Sequence, residues 1–202
     1  TENTFDTYFE NDVNNGVVIQ VDDNIDAIRM GINPVVVQME KDQMPMMYQL
    51  DKTEEPVQSA GNTLRYPLGQ GVALDYTVTS TQVKQNLVIR DQPFFGQEFS
   101  GLFGLQEEML LPHGYAVFDG SSPLQEGQVM KTDESFEIRN VETGELLVNV
   151  PAPLVYEADM TKLPGLGQYF IMQIGEHVQI TTVIDSEWLM DENRTYPIMI
   201  DP

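Results

Sequence analysis

Apolar runs paired across tight, glycine-bearing turns constrain this chain more than any other feature of its sequence. Residues 168–174 and 177–184 flank Gly175-Glu176, a two-residue loop with glycine first, the arrangement suited to a type II′ turn. Residues 135–140 and 146–150 flank a segment containing Glu142-Thr143-Gly144, whose glycine can take the positive φ that a tight reversal needs. Leu74, Tyr76 and Val78 alternate with Asp75, Thr77 and Thr79, and residues 83–90 return after a Ser-Thr turn. Asp119-Gly120 ends a further run at 115–118. Turns this short join antiparallel neighbours, because a parallel pair needs a crossover of about a dozen residues or more. The expected fold is therefore all-β: an antiparallel β-sandwich or related multi-sheet β architecture with short helical turns.

Upstream, residues 16–21 are apolar and β-branched, Asn33-Pro34 leads into a run at 35–39, and 46–50 is another short candidate strand. Residues 51–62 are polar and read as a loop or linker, the one place where the domain could subdivide. Phe94-Phe95-Gly96 and residues 99–105 supply aromatic core material around glycine bends. Residues 1–15 are polar, with Phe5, Tyr8 and Phe9 as isolated anchors. They read as an N-terminal arm, either frayed or able to dock on another copy as a donor strand, ahead of a β-rich domain over 16–202. No internal repeat of fixed period is present, which argues against a solenoid or propeller.

The C-terminal seventeen residues run from a helical turn into a strand-like segment. Ser186 is the expected N-cap, with Glu187 near the positive end of the turn and Trp188 and Leu189 as anchors. Tyr196, Ile198 and Ile200 alternate with Pro197, Met199 and Asp201; since Pro197 has no N–H, the strand is expected at an edge or paired on one side there. Trp188-Leu189, a short acidic stretch, Tyr196-Pro197 and Ile200-Asp201-Pro202 together resemble the end of a β-rich module found in large secreted and surface proteins of bacteria and archaea. Residues 71–89, GVALDYTVTSTQVKQNLVI, and 150–156, VPAPLVY, are similar to the same family, so that the resemblance spans residues 62–202. In such wall-associated proteins the module precedes YD/RHS-type or DNRLRE-type repeats. This chain stops at Asp201-Pro202, where the family continues. The resemblance implies a structural place in an extracellular or cell-surface protein and carries over no active-site residue.

Ten Lys and Arg stand against thirty-two Asp and Glu, a formal net charge of -22. Such a surface repels nucleic acid and anionic membranes at long range, so neither is an expected partner. The excess reads first as a solvated exterior; cation-screened assembly, calcium binding and adaptation to salty surroundings are the functional alternatives. With 41% hydrophobic residues the chain can still bury a core, and with no cysteine it can form neither a disulfide nor a thiolate site. No apolar run approaches the roughly 18 residues that span a bilayer, and no signal-peptide pattern is present. Thr1 in place of Met fits removal of a leader, and an artificial boundary would look the same.

Residues that could carry chemistry are few. His113 and His177 lack the ligand spacing of a zinc site and read as turn or surface histidines. No Gly-x-Ser-x-Gly elbow occurs, Gly120-Ser121-Ser122-Pro123 reads as a turn, and Gly69-Gln70-Gly71 lacks the rest of a dinucleotide loop. Asp22-Asp23-Asn24-Ile25-Asp26 offers oxygen ligands that could suit calcium without the glycine and distal glutamate of an EF-hand; a solvated loop is the preferred reading, and Asp191-Glu192-Asn193 is weaker. Asn193-Arg194-Thr195 is the one glycosylation sequon. Eleven methionines, Met44, Met46 and Met47 among them, read as flexible core filling. Trp188 with Tyr196 could form a sugar platform, with core packing preferred. No catalytic, cofactor-binding or metal-binding residue is assigned. The expected role is a non-catalytic surface module, self-assembling into a fibre, sheath or layer by strand addition through residues 1–15 or 196–202. Its partners would be copies of itself or other surface proteins. The alternative is a carbohydrate-binding module, calcium-dependent or not, of a larger secreted protein.

Overall fold

The computed structural model describes residues 5–21, 25–40, 46–47, 56–92 and 101–201. In chain order the strands begin β1 Asp6–Phe9, β2 Asn15–Gln20, β3 Ile28–Met39, β4 Met46–Met47, β5 Gln58–Ala60, β6 Thr63–Gly69 and β7 Val72–Val78. They continue as β8 Val83–Ile89, β9 Leu102–Leu110, β10 Tyr115–Asp119, β11 Ser122–Pro123, β12 Val129–Thr132 and β13 Phe136–Asn140. The last are β14 Leu146–Val150, β15 Leu154–Glu157, β16 Gly165–Leu166, β17 Gln168–Ile174, β18 His177–Asp185 and β19 Ile198–Asp201, with one helical turn, α1 Ser186–Met190, before β19. They form three antiparallel sheets, an all-β, sandwich-like architecture.

One sheet of eight strands, ordered β1-β2-β3-β9-β18-β17-β12 with β4 added on β3, is the backing layer. A seven-stranded sheet, β16-β15-β19-β8-β7-β6-β5, and a four-stranded sheet, β11-β10-β13-β14, share its inner face. Each contributes its own core. Phe103, Leu105 and Ile184 of the backing sheet meet Leu74, Leu87, Ile89 and Ile198 of the larger cover. Met109, Tyr169, Ile171 and Ile180 meet Val117, Phe136 and Ile138 of the smaller one. Because side chains alternate along a strand, odd-numbered residues of β9 line one face and feed both cores in turn.

The hairpins read from sequence form as expected: β7 with β8, β13 with β14, and β17 with β18. Gly175 has φ of 60°, while Glu176 stays out of the positive-φ region, as a type II′ turn requires. Several details differ. Asn33-Pro34 lies inside one long strand, β3, where the register against β9 shifts twice and Asn33 takes φ of 48°. Bulges of this kind let a strand carry proline without breaking. Gly31, at φ of 68° in the same stretch, lets the strand pass close to Tyr76, whose hydroxyl would lie 2.2 Å from an added Cβ. Within the expected loop at 51–62, residues 58–60 form β5 and pair with β6. Within the expected arm, β1 pairs with β2, and the Phe9 ring meets Tyr76 edge-on at 5.9 Å, so an apolar anchor docks this strand on its own chain.

The C-terminal strand is corrected more sharply. β19 is not an edge: it pairs with β15 on one side and β8 on the other, because Pro197 sits before the ladder and takes nothing from it. Ile198–Asp201 could therefore complete a neighbour's sheet only by leaving their own. The N-cap of α1 is Asp185, whose Oδ1 accepts the Glu187 N–H at 2.8 Å. Ser186 is buried inside the turn, where its Oγ accepts the Gly101 N–H at 2.9 Å. Phe94-Phe95-Gly96, Met44 and residues 22–24 of the acidic cluster lie outside the described residues.

Candidate functional site

The inward row of β9 reads Phe103, Leu105, Glu107, Met109, which puts a carboxyl where the alternation calls for an apolar side chain. β8 has the same irregularity, since Gln85 stands in the inward row with Leu87 and Ile89. The two polar side chains meet where the larger and smaller cores adjoin. Gln85 Nε2 donates to Glu107 Oε2 at 2.5 Å and lies 3.2 Å from the Tyr76 hydroxyl. Glu107 is 6% exposed, Gln85 2% and Tyr76 1%. Burial penalises the charged form and pushes the Glu107 carboxyl up to about 7, although the hydrogen bond from Gln85 pulls the other way. Burial, with Glu107 adding to it, also drives the Tyr76 phenol well above its ordinary range, so it stays neutral. Among the described residues Gln85 Oε1 has no hydrogen-bond partner.

This group opens onto a cavity of about 360 Å³ bounded by all three sheets. The walls are mostly apolar: Ile28, Met30, Met109 and Ile180 from the backing sheet, and Ile138 and Val148 from the smaller cover. Thr81 and Gln82, in the exposed β7–β8 turn, and exposed Asn149 on β14 stand at its rim. The Tyr169 hydroxyl, also at the cavity, is satisfied by the Pro151 carbonyl at 2.9 Å.

A second inward carboxyl, Glu157 at the end of β15, meets three donors that hold it ionised. Glu157 accepts from Lys162 Nζ at 2.6 Å, from Arg194 Nη1 at 2.8 Å and from the Thr195 N–H at 2.8 Å. Burial works against the charge, but these three donors outweigh it and hold the carboxyl down at about 2. Arg194 also lies over the Trp188 ring at 4.0 Å, and the Tyr196 hydroxyl donates to the Leu189 carbonyl at 2.7 Å. The C-terminal motif thus folds into a clasp around Glu157 that delivers Ile198 and Ile200 to the core.

The residues weighed from sequence fall as follows. His113 and His177 are exposed; His113 Nδ1 lies 3.0 Å from Glu176 Oε1, while His177 Nδ1 is 4.0 Å from Glu108 Oε2. Among the described residues no group of three His, Asp or Glu stands together as a metal ligand set. Asp191 Oδ1 accepts both the backbone and side-chain N–H groups of Asn193, which occupies that acidic turn with its own local bonds. Gly69-Gln70-Gly71 is the β6–β7 turn, with Gln70 at φ of 47°. Trp188 gives a ring face to Arg194, and Tyr196 packs at the first core, so the pair is not laid open as a platform.

Comparison of the chain with protein-family models, with curated proteins and with solved structures returned no match.

Glu107 and Gln85 were missed by motif reasoning because no motif contains them. The available signal was a break in alternation: one polar residue at a core position in each of two strong strands.

Proposed function

We propose that this chain is a non-catalytic structural module of the cell surface that assembles by adding edge strand to edge strand between copies. The observation that carries it is the character of the two ends of the eight-stranded sheet. Among the described residues β1 pairs only with β2, and β12 only with β17. Each end exposes an apolar side chain, Tyr8 at 58% and Val129 at 55%. Sheets that must stay solitary blunt such edges with charge, proline or bulges; here each edge strand carries one charged residue, Asp6 on β1 and Lys131 on β12, beside its exposed apolar side chain, and an unpaired apolar edge recruits another strand. Exposed Leu146 on β14 and Leu166 on β16 repeat the pattern at edges of the other two sheets.

A cleft of about 360 Å³ lies beside β12, lined by residues 128–132 and by Phe118, Asp119 and Phe136, and gives an incoming strand room. Joining β1 of one copy to β12 of the next continues the eight-stranded sheet. Because the two ends differ, the contact is head-to-tail and can propagate into a filament or layer. Backbone hydrogen bonds supply the affinity, and Tyr8 and Val129 set the register. The resemblance of the C-terminal motif to a surface-protein module supports the same reading. So does the net charge of -22, which keeps copies apart until salt or divalent cations screen it.

Sedimentation velocity and electron microscopy over a range of protein concentration, salt and calcium test this reading. Wild-type protein is expected to form ordered polymers as repulsion is screened. Tyr8→Lys and Val129→Lys should each weaken association by on the order of tenfold while leaving the monomer folded. A monomer under every condition, or polymers indifferent to both substitutions, discards the mechanism.

A further inference from the structure

The cavity at the junction of the three sheets has features that assembly does not use. Its walls are apolar, yet its floor carries a carboxyl and an amide held at the core positions of β9 and β8. Hydrophobic residues there would complete both cores, so Glu107 and Gln85 cost the fold stability rather than supporting it. No Lys, Arg or His among the described residues lies within ion-pair distance of Glu107, and Gln85 Oε1 is left without a donor. Among the described residues the site lacks one thing chemically: a donor bearing positive charge. A cavity of about 360 Å³ falls in the range of roughly 300–1,000 Å³ typical of small-molecule pockets. Exposed Thr81, Gln82 and Asn149 at the rim place it within reach of solvent.

We propose that this cavity binds a small amphipathic amine, its apolar body against Met30, Met109, Ile138 and Ile180 and its ammonium group between Glu107 and Gln85 Oε1. The ammonium supplies the charge that Glu107 lacks and the N–H that Gln85 lacks, while the apolar body replaces water on the surrounding walls. Neutral alcohols of the same shape supply only the donor. Carboxylates are refused by like charge.

Occupancy is coupled to a proton. Among the described residues the ionisable side chains around Glu107 are the phenols of Tyr76 from β7 and Tyr169 from β17, and burial keeps both neutral. Glu107 is thus the group that titrates near neutrality, and the ammonium prefers its ionised form. Amine affinity therefore rises as pH increases through about 7 and levels off above it, with a proton released on binding below that value.

The test uses the whole chain with hexylamine, 1-hexanol and hexanoate as probes, followed by calorimetry and by side-chain methyl NMR of the cavity methionines and isoleucines. At about pH 8 hexylamine is expected to bind on the order of tenfold more tightly than hexanol, with hexanoate not binding. Glu107→Gln, close to isosteric, should abolish the amine's advantage over hexanol. Proton release, read on wild-type protein in buffers of different ionisation enthalpy, needs no variant and should accompany amine binding at about pH 6. Equal affinity for amine and alcohol, absence of amine binding, or binding without proton release overturns the proposal. Because no residue of β12 lines the cavity, Val129→Lys should bind hexylamine as wild type does whether or not it polymerises.

Discussion

Glu157 and Glu107 are both withdrawn from water, and their carboxyl groups are driven to opposite sides of the ordinary range, to about 2 and about 7. The difference lies in the donors around them. Glu157 receives two cations and a backbone N–H, whereas Glu107 receives one neutral amide. Burial alone opposes charge; enough well-placed donors reverse that, and a single neutral one does not. One region is therefore a finished ion cluster that ties β15 to the approach of β19. The other is a buried acid whose charge nothing in the described chain balances, at the seam between two cores.

The largest effect is expected from breaking the finished cluster. Glu157→Ala leaves Lys162, Arg194 and the Thr195 N–H without their shared acceptor beside the core, and should cost about 3 kcal/mol in urea unfolding at neutral pH. Its carboxyl is depressed from 4.5 to about 2, so its contribution is present above pH 4.5 and is lost as pH falls through about 2. The variant should lack that part of the acid limb of the stability profile. A loss below about 1 kcal/mol would mean that the three bonds act as a surface pair does and that the contrast with Glu107 is overstated.

Glu107→Gln probes the other side with the opposite sign. A carboxyl raised from 4.5 to about 7 favours the protonated native state, so stability is greatest below pH 4.5 and declines until pH passes about 7. At 1.36 kcal/mol per pH unit that decline is roughly 3 kcal/mol. Glutamine keeps an acceptor for Gln85 Nε2, offers a donor to Gln85 Oε1 and removes the charge. The variant should gain roughly 3 kcal/mol over wild type at about pH 8 and almost nothing at about pH 4. A gain of the same size at both values would show that packing, not charge, separates the two sites.

Much of this contrast could be read along the strands, but not across them. Period-two alternation with Gly175 and Gly144 in the turns located the hairpins, since both signals are local. β19 was misplaced because proline reports only on its own residue: Pro197 precedes the ladder, and the strand's two partners come from distant parts of the chain. Asn33-Pro34 suggested the start of a strand, whereas pairing with β9 carries β3 through that point on bulges. The Glu157 clasp joins residues 37 positions apart with Arg194 and 38 apart with Thr195, so the C-terminal motif showed half of it. Glu107 and Gln85 were visible as breaks in alternation, but that they face each other across the seam is a fact of sheet stacking.

The smallest expected effects concern the turn that begins the clasp, where adjacent residues have exchanged the roles that cap preference suggests. Ser186→Ala removes the acceptor of the buried Gly101 N–H, and an orphaned buried donor costs about 1–3 kcal/mol. Asp185→Ala removes the cap on the Glu187 N–H, which water can reach, and should cost about 1 kcal/mol or less. Combining each with Glu157→Ala sharpens the regional comparison. Both belong to the segment that the ion cluster fastens, so their effects should be non-additive with it, whereas with Glu107→Gln, in the other region, they should add. If Asp185→Ala proves the costlier of the two, capping rather than the bond to Gly101 holds this turn. The clasp would then be anchored from its helical end instead of from Gly101, just ahead of the strand β9 that carries Glu107.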